Sequence, residues 1–331
     1  MTVYFARLSV LVSLALFLAG CGAAPQAGQS SVRDLLASGQ RARDQHSDAA
    51  CIQTFTEVLR LQAEVVSAFV GRAACYLDEG NAAAAVQDYA AAIRLSANDP
   101  DLYIGRATAE QQIGNYSQAQ ADLQRAASFS SANPGQLVRS AEGLGQMGFF
   151  RDAKSVLDDG IKRYPDFWDL HRYRAELQGQ LGVDGDALAE FEKAVRLSSG
   201  SDLAFVLNTR AFFYMKRHQY KQAIADFTQG VAADPTQYYL LRGRAEARLA
   251  VGDSTGALND LGTAIGMFSS PADSVSKTSL VNLLIERAQI LLQLGNNAGA
   301  ASDIRAALKI VPPGDSDTRA RLQQLLVSSG G

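Results

Sequence analysis

The chain has 331 residues, 47% of them hydrophobic, and a formal charge of −3. That length is ample for a core or for an array of small ones, and the charge offers no basic field for nucleic acid to follow. After the N-terminal segment no apolar run reaches the length of about 18 residues that a membrane-crossing helix needs.

In chain order, Arg7 is followed by the apolar stretch Leu8 to Leu18, and then by Leu18-Ala19-Gly20-Cys21. A basic start, a short apolar core and a small-residue cleavage site describe a secretory signal peptide over residues 1–20. The ending resembles a bacterial lipobox. That resemblance implies cleavage before Cys21 and acylation, palmitate included, of its thiol and new amino group. Several chains on one residue anchor stably, where one is marginal. Residues 21–31 are small and polar and read as a flexible tether. Gly22 stands where Asp would signal inner-membrane retention in enterobacterial-type sorting, which this end resembles. The implied location is the outer membrane, facing the periplasm, with the N-terminal lipid as the one membrane contact.

From residue 32 the sequence repeats with a period of 34. Units span 32–65, 66–99, 100–133, 134–167, 168–201, 204–237, 238–271 and 281–314. Position 8 of each is small: Gly39, Ala73, Ala107, Ala141, Ala175, Ala211, Ala245 and Ala288. Positions 20 and 27 are small as well, with Cys51 and Val58 as the largest examples. Position 24 is always large and apolar: Phe55, Tyr89, Leu123, Leu157, Phe191, Phe227, Leu261 and Ile304. Position 15 is Gly in six units and His46 or His218 in the other two. Such a unit is a helical hairpin. Small residues let the helices approach, the large one fills the gap, and Gly at 15 ends helix A in a left-handed cap. Prolines near position 32, such as Pro165, Pro235 and Pro312, stop helix B.

This pattern resembles the tetratricopeptide repeat. The resemblance implies an all-α solenoid of about eight helix-turn-helix repeats, wound as a right-handed superhelix with helix A lining the concave side. Residues 202–203 and 272–280 interrupt the register, and the second, polar insertion lengthens either a loop or a helix end. Residues 315–331, with Leu322, Leu325 and Leu326 on one side, read as a capping helix and tail, which a solenoid needs over its last apolar face.

A charge pair repeats in units two, three and five to eight. Position 7 is Arg72, Arg106, Arg174, Arg210, Arg244 and Arg287; position 23 is Asp88, Asp122, Glu190, Asp226, Asp260 and Asp303. Units one and four lack both members. The two positions are equidistant from the turn, so the expectation is an ion pair inside each hairpin rather than a basic ladder for an acidic ligand.

Residues Gly143-Leu144-Gly145-Gln146-Met147-Gly148 match a dinucleotide-binding spacing but follow no strand, so no cofactor is expected. No metal is expected either: His46, His171 and His218 fall in three separate units, and Asp184-Gly185-Asp186 lacks the spaced carboxylates of a calcium loop. With no catalytic motif either, the chain reads as a non-enzyme. Cys51 and Cys75 lie level across the turn between helix B of unit one and helix A of unit two. They are either a disulfide, permissible after export, or two small buried residues.

An array of hairpins without chemistry reads as a surface for other proteins. The tetratricopeptide resemblance places partner contacts at helix A positions 2, 5, 9, 12 and 13 of the concave face. Glu142, Glu176 and Glu246 at position 9 argue against a clamp for a peptide's C-terminal carboxylate. Candidate contacts are Arg172, Phe205, Asn208, Phe212, Met215, Lys216, Tyr239 and Arg242, either exposed as a patch or covered by the curvature of the array. Lipobox plus repeats is similar to the tetratricopeptide lipoproteins of type IV and tight-adherence (Flp) pilus assembly, which implies an adaptor for envelope proteins. The alternatives are a scaffold for peptidoglycan hydrolases and proteases, or a small-molecule-binding lipoprotein.

Overall fold

The computed structural model describes residues 27–268 and 273–330; the signal segment and Cys21 lie outside them. The described residues form seventeen α-helices and no strand. None of these helices is long and apolar enough to cross a membrane. The chain divides into two compact units, residues 1–97 and 98–331.

The first unit holds α1 (Ala27–Asp44), α2 (Asp48–Leu61), α3 (Val66–Glu79) and α4 (Ala82–Leu95). α1 takes in residues 27–31, the second half of the expected tether, because no proline follows Pro25 to stop a helix there. Phe55 sits at the centre of this unit. A Cβ added at Gly39 or Gly71 would lie 2.8 or 2.4 Å from its ring. Cys51 and Cys75, both fully buried, are joined as a disulfide with Cα atoms 6.2 Å apart, tying α2 to α3.

The second unit contains α5 (Pro100–Gln112), α6 (Tyr116–Ser128), α7 (Pro134–Gln146), α8 (Phe150–Arg163) and α9 (Trp168–Gln180). It continues with α10 (Asp184–Leu197), α11 (Gly200–Lys216), α12 (Tyr220–Ala233), α13 (Tyr238–Ala250) and α14 (Ser254–Gly266). α15 (Ser274–Gln293), α16 (Asn297–Ile310) and α17 (Ser316–Ser328) complete it. Each odd helix pairs with the even helix after it, and α17 closes on α16 through the fully buried Leu322. Contacts between helices two apart run mainly along the odd row, from α5 through α7, α9 and α11 to α13, with a smaller one between α6 and α8. Along this stretch the A helices therefore form the inner row. Residues 202–203 and 274–280 lie in helix A: α11 starts at Gly200 and α15 at Ser274, so each is longer than its 13-residue neighbours α9 and α13.

The small positions account for the packing. Ala85, Ala119, Ala153, Ala187, Ala223, Ala257 and Ala300 at position 20 are fully buried, and every large residue at position 24 is buried. Where position 27 is Gly, the next unit's leucine takes the space: Leu170 against Gly160 and Leu240 against Gly230. All eight residues at position 15 adopt the left-handed conformation, His46 (φ 55°) and His218 (φ 58°) included. Glycine bears that conformation without a Cβ clash; histidine tolerates it at a cost.

All six Arg–acid pairs form, at 2.6–2.7 Å. Three of the arginines also reach back to helix B of the preceding repeat: Arg72 to Thr56, Arg174 to Asp158 and Arg244 to Thr228. Pairing is thus both within and between repeats, because a guanidinium has five donors and one carboxylate uses two. Unit five departs from the pattern. His171, fully buried, spans the Pro165 carbonyl at 2.9 Å and the Glu190 carboxylate at 2.7 Å. Burial opposes ionisation of Glu190, yet hydrogen bonds from His171 and Arg174 hold its carboxyl below the usual range.

Two outcomes check this fold. Arg106→Ala leaves Asp122 buried without its partner and is expected to cost about 3 kcal/mol, whereas Arg106→Met with Asp122→Leu restores most of it; denaturant melts that show equal losses would contradict a direct pair. Reducing the Cys51–Cys75 bond, which spans 24 residues, is expected to lower stability of the first unit by about 3 kcal/mol, read from melts with and without reductant against Cys51→Ala with Cys75→Ala.

Candidate functional site

On α11 the residues Phe205, Asn208, Phe212, Met215 and Lys216 recur at three- and four-residue steps, which lines them along one face of the helix. α11 belongs to the inner row and touches α9 on one side and α13 on the other. Phe205 and Phe212 are 41% and 39% exposed, so the aromatic pair faces outward from the inner row. Both are held rather than loose. Phe205 meets the edge of Trp168 at 6.3 Å and lies 5.0 Å from the Arg172 guanidinium. Phe212 meets the edge of the fully buried Phe227 at 5.5 Å. Edge-to-face pairs at these distances fix ring orientation.

The other candidates divide into contacts and supports. Lys216 is exposed. Met215 and Tyr239 are partly buried against the cluster around Ala211 and Phe227, so they shape the floor of the face. Asn208 is partly buried and its Oδ1 has no hydrogen-bond partner. Arg242 on α13 binds Glu286 of α15 through both carboxylate oxygens. Arg172, a candidate contact, is covered: it is only 8% exposed and is held by Asp169 and by Glu176 at 2.9 Å. It serves as a pedestal under Phe205.

Around Arg172 the electrostatics are unbalanced. Burial pushes the Glu142 carboxyl up, Arg172 pulls it down and Asp169 pushes it up again. Glu176 is raised in the same way: burial first, opposed by Arg172, with Glu142 and Asp169 adding to the rise. Three carboxylates share one guanidinium, and the local charge is negative. Tyr173 is raised too, by burial and by these neighbouring acids. The negative charge sits beside the exposed aromatics, on α7 and α9.

The dinucleotide-like glycines have packing roles. A Cβ on Gly143 would meet Leu123 at 2.8 Å, one on Gly145 would meet the Tyr173 hydroxyl at 2.6 Å, and Gly148 is a left-handed turn. Among the described residues no three His, Cys, Asp or Glu side chains are gathered to hold a metal. Sequence reasoning missed the buried His171–Glu190 link; its only signal was Glu in place of Asp at position 23 of unit five.

Stacked helical hairpins with an inner helix row define a helical-repeat scaffold. Residues 36–100 and 139–202 match the family model of the tetratricopeptide repeat. No curated protein sequence matches the chain. Solved structures do. The C-terminal part of a TPR repeat-containing protein from Cytophaga hutchinsonii is 18% identical over 75% of this chain and 97% of its own, with a TM-score of 0.50. PilW, a type IV pilus biogenesis factor, is 17% identical over 69% of this chain and 98% of its own, also at 0.50. Human IFIT1, solved as a dimer with PPP-AAAA, is 14% identical over 89% of this chain and 63% of its own, again at 0.50. At such identities the likeness speaks for the fold alone. Over those two stretches the chain carries tetratricopeptide repeats, and that fold is a protein-interaction scaffold.

The acids give a testable sign. The native state holds the Glu142 proton more tightly than the unfolded chain does, so stability falls as pH rises from the ordinary carboxylate value through the raised one. At neutral pH the ionised group is a full liability. Glu142→Gln is therefore expected to melt higher than wild type at pH 7, with the advantage fading by about pH 4; thermal melts across that range check it.

Proposed function

We propose that this protein is a lipid-anchored envelope scaffold that captures partner proteins on the inner helix row of α7–α13, assisting assembly of a pilus or secretion complex at the outer membrane. The observation that carries the reading is the outward-facing pair Phe205 and Phe212, held by edge contacts on the inner row. A folded chain leaves such aromatics in solvent where another protein covers them. The Leu-Ala-Gly-Cys segment supports export and tethering. A disulfide between Cys51 and Cys75 suits an oxidising compartment. The shared fold with PilW supports the pilus setting.

The test has two arms. Cys21→Ser is expected to release the protein from the membrane fraction after high-salt washing; continued flotation with outer membrane would rule out the anchor. Phe212→Ala is expected to weaken capture of a native envelope partner about fivefold or more while the protein stays folded at the assay temperature, checked by its melting curve. Unchanged capture by Phe212→Ala combined with Phe205→Ala would remove this face as the docking site.

A further inference from the structure

Position 9 lies in the C-terminal half of each of these inner-row helices, and in four successive ones, α7, α9, α11 and α13, it is Glu142, Glu176, Phe212 and Glu246. Acid, acid, aromatic, acid is a pattern across the row. Asp169 adds a further acid beside Glu176. The cations that would repel a basic ligand are committed elsewhere: Arg172 is buried between Asp169 and Glu176, and Arg242 is paired with Glu286. Lys216, at the end of α11, is the exposed exception.

We infer that this face takes an extended partner segment in which basic side chains recur every third residue, with one apolar side chain in the phase that meets Phe212. The inference rests on the reading of α7–α13 as a docking face and adds the chemistry of what docks. Packed helices lie about 8–10 Å apart. A polyproline II segment advances about 3.1 Å per residue with three residues per turn, so every third side chain points the same way at a spacing of about 9 Å. That repeat matches the step from one position 9 to the next. A segment crossing the row presents cation, cation, apolar group and cation to Glu142, Glu176, Phe212 and Glu246. Burial raises the Glu142 and Glu176 carboxyls, and an arriving ammonium or guanidinium relieves that cost where Arg172 alone does not.

The test uses the full-length protein in detergent and fluorescent synthetic peptides of the form Lys-x-x-Lys-x-x-Leu-x-x-Lys, where x is Pro or Gly. Both chain directions are made, together with a charge-reversed peptide carrying Glu for Lys. The lysine peptide in one direction is expected to bind in anisotropy titrations, weakening with salt, and the reversed peptide is expected not to bind. Glu142→Gln with Glu176→Gln, and separately Phe212→Ala, are each expected to weaken it about tenfold. Lys216→Glu, at an exposed site where folding is not at stake, is expected to tighten it about threefold. Equal binding of the charge-reversed peptide, or indifference to both Lys216→Glu and Phe212→Ala, overturns the inference. If Phe205→Ala with Phe212→Ala abolishes capture of a native partner while neither lysine peptide binds, the docking face stands and the basic segment is wrong. If that variant captures its partner normally, the docking face itself fails.

Discussion

The close approach of helices at positions 8, 20 and 27 is the constraint on which the array depends. Alanine or glycine there lets two backbones come near enough for the single large residue at position 24 to fill the remaining gap. Every such large residue is buried, and the glycines beside Phe55 and Phe227 leave no room for even a methyl group. Because each hairpin buries its apolar face partly on its neighbour, stability passes from one repeat to the next. The left-handed turn at position 15 serves the same end: it ends helix A at the point where helix B must start its return.

Charge is arranged around this packing in two ways. On the helix B side, six arginines sit against their own acids, and three of them also bond the preceding repeat. There acid and base are matched, and the pairs fix the angle between helices rather than supply net stability. On the inner row, near Arg172, acids outnumber bases, and two carboxyls are raised. A surface under selection for stability alone would not keep that imbalance. It lies beside Phe205, whose ring is 5.0 Å from the Arg172 guanidinium.

The helical hairpins, the buried small and large positions, the left-handed turns and the ion pairs were all legible from one sequence, because each recurs eight or six times and repetition separates signal from accident. Less was legible where a unit differs from the others. The second insertion, residues 272–280, read as lengthening a loop or a helix end; Ser274–Leu280 became helix, with Asp273 capping its start by accepting from the Ser276 amide. Arg172 was a candidate contact at position 5, exposed or covered; it is covered, and the ring against its guanidinium is Phe205 of the next repeat, which a pattern within one repeat does not encode. Asp169 had no signal beyond its place at position 2. How far Phe205 and Phe212 are covered depends on how closely α9, α11 and α13 approach, a property of the assembled unit.

The disulfide has a mechanical consequence. A pull applied at the N-terminus enters the fold through α1, passes into α2 and reaches Cys51. With the bond closed, tension crosses the sulfurs to Cys75 and bypasses residues 52–74, which cannot be drawn out while the link is intact. α1 lies outside that loop and is held by non-covalent contacts alone, through Val32, Leu35 and Leu36 against the Phe55 cluster. Under load α1 is the part that yields, releasing its own residues, while the covalent loop arrests unravelling before it enters the segment between Cys51 and Cys75.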